Sequence, residues 1–273
     1  MEGLLETSVD VRPDGIAIIT FRRPEQLNAF TRLTADEVEA SIKELEEDDA
    51  VKAIILTGEG RGFCAGASIG GYDPTEGPAF ESPLYRYNQG RSGWMRGRFS
   101  LAETIYQCRK PVIAAVNGVA VGMGMGIAMA CDVRIASHEA RFNAMFVRRG
   151  LASDYGLAFF LREIVGRSKA LELLWRADFL SAEEALQLGL VTRVVPANDL
   201  IPACVEFLGP VLAHPPLAIE TIKSLVNFGD QQRLSEYMLA EEALQIKLKD
   251  YSEDTREAAR AFIERREPVF RGR

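Results

Sequence analysis

Ala114–Asp132, AAVNGVAVGMGMGIAMACD, runs from an apolar strand-like segment through glycines at every second position, Gly122, Gly124 and Gly126, into an apolar helix-like one. Glycine admits backbone angles and close approaches that a Cβ forbids. A helix opening at such a turn presents unpaired N–H groups at the positive end of its dipole. No charged side chain occurs before Asp132. The stretch therefore points to main-chain amides that hold a developing oxyanion. An acid or base working with them has to come from elsewhere in the chain.

Reading outward, Gly15–Phe21 and Val51–Thr57 have the composition of strands, and Thr31–Glu47 between them places Leu33, Val38, Ile42 and Leu45 at helical spacing. That order predicts a right-handed βαβ crossover. Gly58–Gly77 reads as a glycine-rich loop. A helix over Leu101–Cys108 should end before Pro111 and lead into the strand PVIAAV. Val133–Ala136 and Arg141–Ala144 are short strand candidates. After Gly156 the pattern turns mostly helical, with a capping box in SAEE from Ser181, a last short strand in GLVTRVVP, and amphipathic helices over Pro215–Phe228, Leu234–Leu248 and Ser252–Arg266. No internal repeat shows. The expected fold class is α/β, with a core over residues 1–195 and a helical region over 196–273 whose long helices suggest an oligomer.

Composition narrows the partners. The 273 residues, 47% hydrophobic and 26% charged, are ordinary for a globular protein that buries a large core. A net charge of −7 disfavours nonspecific binding to nucleic acid or anionic membrane. Cys64, Cys108, Cys131 and Cys204 form no CxxC pair, so reduced thiols are expected. The acidic start MEGLLETSVDVRPDG lacks the layout of a signal peptide, and a cytoplasmic location is the expectation. Pro111–Ala130 is interrupted by Asn117 and glycines, which favours a buried core over a membrane span.

RPEQLNAF (23–30), GFCAGASIG (62–70) and the glycine series occur in that order. They are followed by ARF (140–142), GLASDYGLAFFLREIVGRSKALEL (150–173), LSAEEALQLGLVTRVVP (180–196) and SEDTREAARAFIERREPVF (252–270). Taken together, with their spacing, these segments resemble the enoyl-CoA hydratase/isomerase (crotonase) family over nearly the whole chain. The resemblance implies a spiral of ββα units and a C-terminal helical region that makes trimers, commonly paired into hexamers. It implies an acyl-CoA thioester substrate whose enolate is held by two backbone amides, here those of Ala67 and Met123. CoA enters only as part of the substrate, and no metal or other cofactor is implied. Contacts to CoA fall on Arg22, Arg23 and Ala65, with Arg265 at a position that can reach a neighbouring subunit's CoA; for the arginines, plain surface charge is the competing reading. Tyr72, Phe146 and Tyr155 fall where the acyl pocket is shaped, and Tyr85, Tyr87 and Trp94 lie in the same variable stretch as Tyr72.

The departures from the family pattern are as informative. Its hydratases use two glutamates; Gly126 stands at the place of one and Phe146 at the place of the other. No Asp or Glu lies between Gly122 and Met129 or between Arg141 and Ser153, so a small slip of alignment restores neither. Two-glutamate hydration is therefore not expected. The next carboxylate is Asp154 in GLASDYG, a segment resembling family members that work with a single aspartate, among them isomerases of phenylacetate degradation. One carboxylate suffices to shift a double bond: it takes a proton from one carbon and returns it to another. The competing readings of Asp154 are a helix cap and a dehalogenase-type nucleophile. The second expects a histidine that neither His138 nor His214 supplies. Cys64 reads as a small buried residue and Asp132 as a structural acceptor for backbone amides. An enoyl-CoA isomerase is the expected function. Other enolate chemistry (C–C hydrolysis or atypical hydration) and a non-catalytic acyl-CoA-binding protein are the alternatives.

Overall fold

The computed structural model describes residues 4–68, 100–228 and 234–273. Its strands are β1 (Thr7–Val11), β2 (Ile16–Phe21), β3 (Ala53–Gly58), β4 (Gly62–Cys64), β5 (Val112–Val116), β6 (Val119–Val121), β7 (Val133–Ser137), β8 (Arg141–Asn143), β9 (Leu180–Ser181) and β10 (Arg193–Val195). They form a six-stranded sheet in the order β1-β2-β3-β5-β7-β10 and a four-stranded sheet in the order β4-β6-β8-β9. The large sheet is parallel apart from the β1–β2 hairpin, and β9 alone runs antiparallel in the small one.

Three times the chain leaves the large sheet through a tight turn and enters the small one: β3 to β4, β5 to β6 and β7 to β8. Each pair is followed by a helix, which makes the expected ββα spiral. Successive turns stack on one another. Asn117 Nδ2 donates to Gly60 O (2.9 Å) and Gly62 O (3.1 Å), and Ser137 Oγ donates to Asn117 O (3.0 Å). A Cβ on Gly118 would lie 1.9 Å from Arg61 O, so only glycine fits there. The repeat is thus one of geometry. Its turns (GEGRG, NG, HEA) share no sequence, which is why none was legible in the chain.

The helices are α1 (Arg32–Glu47), α2 (Ser100–Gln107), α3 (Met123–Ala130), α4 (Leu157–Arg176), α5 (Ala182–Gln187), α6 (Leu200–Leu212), α7 (Pro216–Phe228), α8 (Leu234–Tyr251) and α9 (Glu253–Glu264). Ser181 caps α5 as expected, its Oγ accepting Glu184 N–H at 3.1 Å while Glu184 Oε2 accepts Ser181 N–H at 2.7 Å. One face of the large sheet packs Ile19, Ile54 and Leu56 with Val38 and Ile42 of α1, Ile105 of α2 and Ile127 of α3. The other packs Ile16, Ile55, Ile113 and Ile135 with Leu200, Ala203, Cys204 and Leu208 of α6. Parallel strands covered on both faces are apolar throughout, and β3 is buried at every position. Because α6 is what covers that second face, a division at residue 195 separates a helix from the core it completes. The helices outside the core begin after Leu212. Among them, α7 is pinned by an ion pair from Lys223 Nζ to Asp132 Oδ2 (2.8 Å) and by Asn227 Nδ2 donating to Tyr106 O (2.9 Å). Among the described residues, no single helix is long and apolar enough to cross a membrane.

Candidate active site

The first expected oxyanion donor lies just past β4. There Phe30 N–H donates to Gly66 O (2.8 Å) and Ser68 N–H donates to Phe30 O (2.7 Å), forming a parallel bridge between Phe30 and Ala67. Both bonds use residues flanking Ala67, so the N–H of Ala67 itself is turned away from Phe30, and the residue is exposed. Gly66, at φ +107°, makes this turn possible. The segment is held by the RPEQLNAF turn, in which Leu27 and Asn28 both adopt positive φ (48° and 55°). Buried Asn28 donates from Nδ2 to Glu59 O (2.9 Å) and Gly62 O (2.7 Å) and accepts Arg23 N–H at Oδ1 (2.8 Å).

The second expected donor starts α3. Gly122, the N-cap at φ 54°, donates to Asn143 O (2.8 Å), and Met123 is the first helical residue, whose N–H has no carbonyl one turn behind it. A Cβ on Gly124 would stand 2.0 Å from Cys64 O and 2.8 Å from Cys64 C. Helix and loop therefore meet main chain to main chain. This contact brings together the segments that carry Met123 and Ala67, one residue away on α3 and three residues away on the loop.

Gly126 and Phe146, where the hydratase glutamates were expected, both lie against other parts of the site. A Cβ on Gly126 would lie 2.9 Å from Tyr155 Cβ and 3.0 Å from Tyr155 O, so the 154–156 turn rests directly on α3. The ring of Phe146 lies over the start of the same helix, with Cζ and Cε1 3.6 and 3.7 Å from a Cβ built on Gly122. Asp154 is thereby carried to the glycine series, and its Oδ1 is shielded from solvent. Tyr155 and Gly156 both adopt left-handed angles (φ 49° and 68°), the compact reversal this placement requires. Gly156 is the N-cap of α4; ahead of it Ser153 Oγ accepts Ala158 N–H at 3.1 Å, and the Asp154 main-chain carbonyl accepts Leu157 N–H (3.1 Å). Phe159, Phe160 and Tyr106 form an edge-packed aromatic group behind the turn, with ring centroids 5.4–6.2 Å apart.

The remaining expected site residues separate. Arg23 is drawn into the turn it belongs to: Nε meets Glu6 Oε1 (3.2 Å), one terminal nitrogen donates to Ala29 O and the other to Gln26 Oε1 (2.8 Å). With each of its three nitrogens engaged once and only 18% of its side chain exposed, it clamps the loop. Arg22 is more than half exposed and meets Glu59 at 3.3 Å. Ala65 donates its N–H to Leu27 O (3.0 Å). Arg265 is exposed at the C-cap of α9. Tyr72, Tyr85, Tyr87 and Trp94 lie outside the described residues.

Burial pushes the Cys64 thiol up to about 12, which fits a small core residue. Asp132 Oδ2 accepts Val112 N–H (2.7 Å) besides the Lys223 ammonium; burial raises its pKa and Lys223 opposes the rise. His138 pairs with Glu183 on the surface (2.9 Å). No group of three or more metal-ligating side chains occurs among the described residues. Sequence reading missed Asn28, Asn143 and Ser153. Of these, only Ser153 had a local signal, a serine just ahead of a helix.

The family model described as enoyl-CoA hydratase/isomerase matches residues 12–273. The chain belongs to this family. It is 33% identical over 263 residues to the 1,2-epoxyphenylacetyl-CoA isomerase of Escherichia coli K12, covering 95% of this chain and 96% of that one. It is 36% identical over 254 residues to a short-chain-enoyl-CoA hydratase of Clostridium acetobutylicum, covering 92% of each. A crystal structure of an enoyl-CoA hydratase from Bacillus anthracis superposes with a TM-score of 0.87 at 27% identity, covering 98% of this chain and 100% of that one. Relatives with both activities are thus about equally similar, and overall identity does not choose between them. Within the enoyl-CoA hydratase/isomerase fold, the choice falls to the groups around α3.

Proposed function

We propose that this family member is an enoyl-CoA isomerase that shifts a double bond through a dienolate, with Asp154 as its single acid–base group. The observation that carries this reading is the contact of Gly126 with the main chain of Tyr155. It fills the space a glutamate side chain at 126 would need and brings Asp154 to the same helix. Phe146 over Gly122 makes the other glutamate place apolar, so neither supplies a second carboxylate to activate water.

The thioester carbonyl of a 3-enoyl-CoA accepts hydrogen bonds from the Ala67 and Met123 amides. Asp154 takes a proton from C2, the electron pair moves into the dienolate and onto the thioester oxygen, and Asp154 returns the proton to C4 to give the 2-enoyl-CoA. Two fixed donors stabilise the developing oxyanion by roughly 3 kcal/mol each. Arg22, the Ala65 carbonyl and, from a neighbouring subunit, Arg265 hold the CoA portion. Phe146 and Tyr155 border the acyl group. The exposed apolar residues Ile222, Val226, Met238, Leu239, Phe262 and Ile263 on α7–α9 support a homotrimer or homohexamer that covers them.

The test offers 3-enoyl-CoA and 2-enoyl-CoA to the wild type and to Asp154→Asn. Wild type isomerises, and the variant loses at least about 100-fold in kcat with little change in KM. Isomerisation that survives in Asp154→Asn, or efficient hydration of 2-enoyl-CoA by the wild type, overturns the reading. A wild type that binds both thioesters and turns over neither indicates a non-catalytic acyl-CoA-binding protein.

A further inference from the structure

We infer that Asn143 is a positioning residue that holds Phe146 over the start of α3 and thereby keeps bulk water from the proton that Asp154 carries; the inference rests on the isomerase reading above. Asn143 ends β8 and is only 1% exposed. Its side chain and carbonyl meet three different parts of the site. Oδ1 accepts Met145 N–H at 2.6 Å, Nδ2 donates to Ala177 O at 2.8 Å, and the carbonyl accepts Gly122 N–H at 2.8 Å.

The first bond sets the chain reversal after the strand. Met145 adopts φ 54°, an angle that an unbranched residue with a Cβ takes only when its surroundings impose it. A side-chain acceptor two residues back supplies that constraint, as in an Asx turn. Phe146 N–H then closes onto Ala144 O (2.6 Å), and the ring is delivered 3.6 Å from the Cβ position of Gly122. The second bond ties the same residue to the C-cap of α4, in the part of α4 beyond a break at Gly166 (φ 74°, ψ 164°). The third fixes the N-cap of the helix that carries Met123.

Of the two side-chain bonds, the one to Met145 sets the reversal that places Phe146, and the one to Ala177 adds only anchorage. Aspartate keeps the acceptor for Met145 and loses the donor to Ala177; alanine loses both. What the aromatic wall contributes chemically is exclusion. A carboxylate that receives a proton from C2 returns that same proton to C4 only if it does not first exchange with solvent, and closed sites prevent such leakage.

Isomerisation of unlabelled 3-enoyl-CoA in deuterated buffer reads this directly, as the fraction of early product that has gained no deuterium at the proton-receiving carbon. Wild type retains protium. Asn143→Ala lowers the retained fraction by about twofold or more. Asn143→Asp, which keeps the bond to Met145, retains it like the wild type whatever happens to its melting temperature. Phe146→Ala lowers retention without touching Asn143, and the double variant with Asn143→Ala is no worse than Phe146→Ala alone.

Wild-type product fully equilibrated with solvent overturns the inference, as do unchanged retention in Phe146→Ala, equal losses in Asn143→Asp and Asn143→Ala, or additive losses in the double variant. If Asn143→Ala does not fold, Phe146→Ala and Asn143→Asp still decide. Failure of the isomerase reading looks different: the wild type does not isomerise or Asp154→Asn remains active.

Discussion

Gly124→Ala tests the contact on which the whole site is built. The new Cβ would stand 2.0 Å from Cys64 O, short of an ordinary 3.4 Å contact by about 1.4 Å. The obstacle is buried main chain of β4, which no rotamer change can move aside, so α3 or the Cys64–Ala67 segment has to shift by about an ångström. Forcing extra volume into such a place costs about 3 kcal/mol, the upper part of the range for overpacked cores. In a protein of this size that lowers Tm by roughly 6–12 °C, at 2–4 °C per kcal/mol. The same shift separates the Ala67 and Met123 donors, and a misplacement of about 1 Å costs on the order of 100-fold in kcat. The assay is thermal unfolding together with kcat and KM for 3-enoyl-CoA, measured on the folded variant below its transition. Gly209→Ala in α6 is the control, because nothing lies within 4 Å of its Cβ. There the helix-propensity gain of about 0.5–1 kcal/mol is partly offset by Pro210 following it, and the variant stays near wild type. Wild-type Tm and kcat in Gly124→Ala would refute the main-chain contact and the paired-donor geometry with it.

Gly126→Glu, the substitution that restores a family glutamate by sequence, gains no hydratase activity and loses about 1–3 kcal/mol, because its Cβ meets Tyr155 at 2.9 Å; hydration followed by loss of the conjugated-thioester absorbance, with urea unfolding, checks both. Asp132→Asn leaves the Lys223 ammonium, on a side chain 11% exposed, without its partner and costs about 3 kcal/mol, read as a lower urea midpoint at unchanged m-value. The Arg266 guanidinium, with help from Val269 N–H, holds the Glu257 carboxyl at about 2 instead of its ordinary 4.5. A folded pKa below the unfolded one means that this pair stabilises the fold above pH 4.5 and is lost as the pH falls towards 2. A carboxyl NMR titration that finds Glu257 near 4.5 contradicts the pairing.

Much of the fold was legible because its strands are short apolar runs between strong turn signals. Gly15–Phe21, Val51–Thr57 and PVIAAV became β2, β3 and β5 within a residue or two, and the SAEE box capped α5 as read. What escaped did so for separate physical reasons. β4, β6 and β9 are two or three residues long, too short to show a period, and exist because each ββ turn stacks on the one before. The role of α6 was hidden because apolar spacing shows that a helix has a buried face and not what the face is buried against. The partners of Arg23, Glu6 and Ala29, were hidden because they are chosen by a turn with two left-handed residues in succession.

The candidate site divides in the same way. The sequence by itself determined which groups are present: a glycine series able to open a helix, a second glycine turn at Gly66, no Asp or Glu between Gly122 and Met129 or between Arg141 and Ser153, and a carboxylate at Asp154. These are chemical identities and near-neighbour conformations, set by the residues on the spot. Only the tertiary structure decided where they stand. Gly124 presses on Cys64, sixty residues away, and Gly126 on Tyr155, twenty-nine away. Ser153, three residues ahead of the Gly156 N-cap, accepts Ala158 N–H. Such contacts depend on how the stacked ββ turns and α3 bring distant main chain together. A glycine in the sequence announces only that a close approach is permitted, and the fold chooses what approaches.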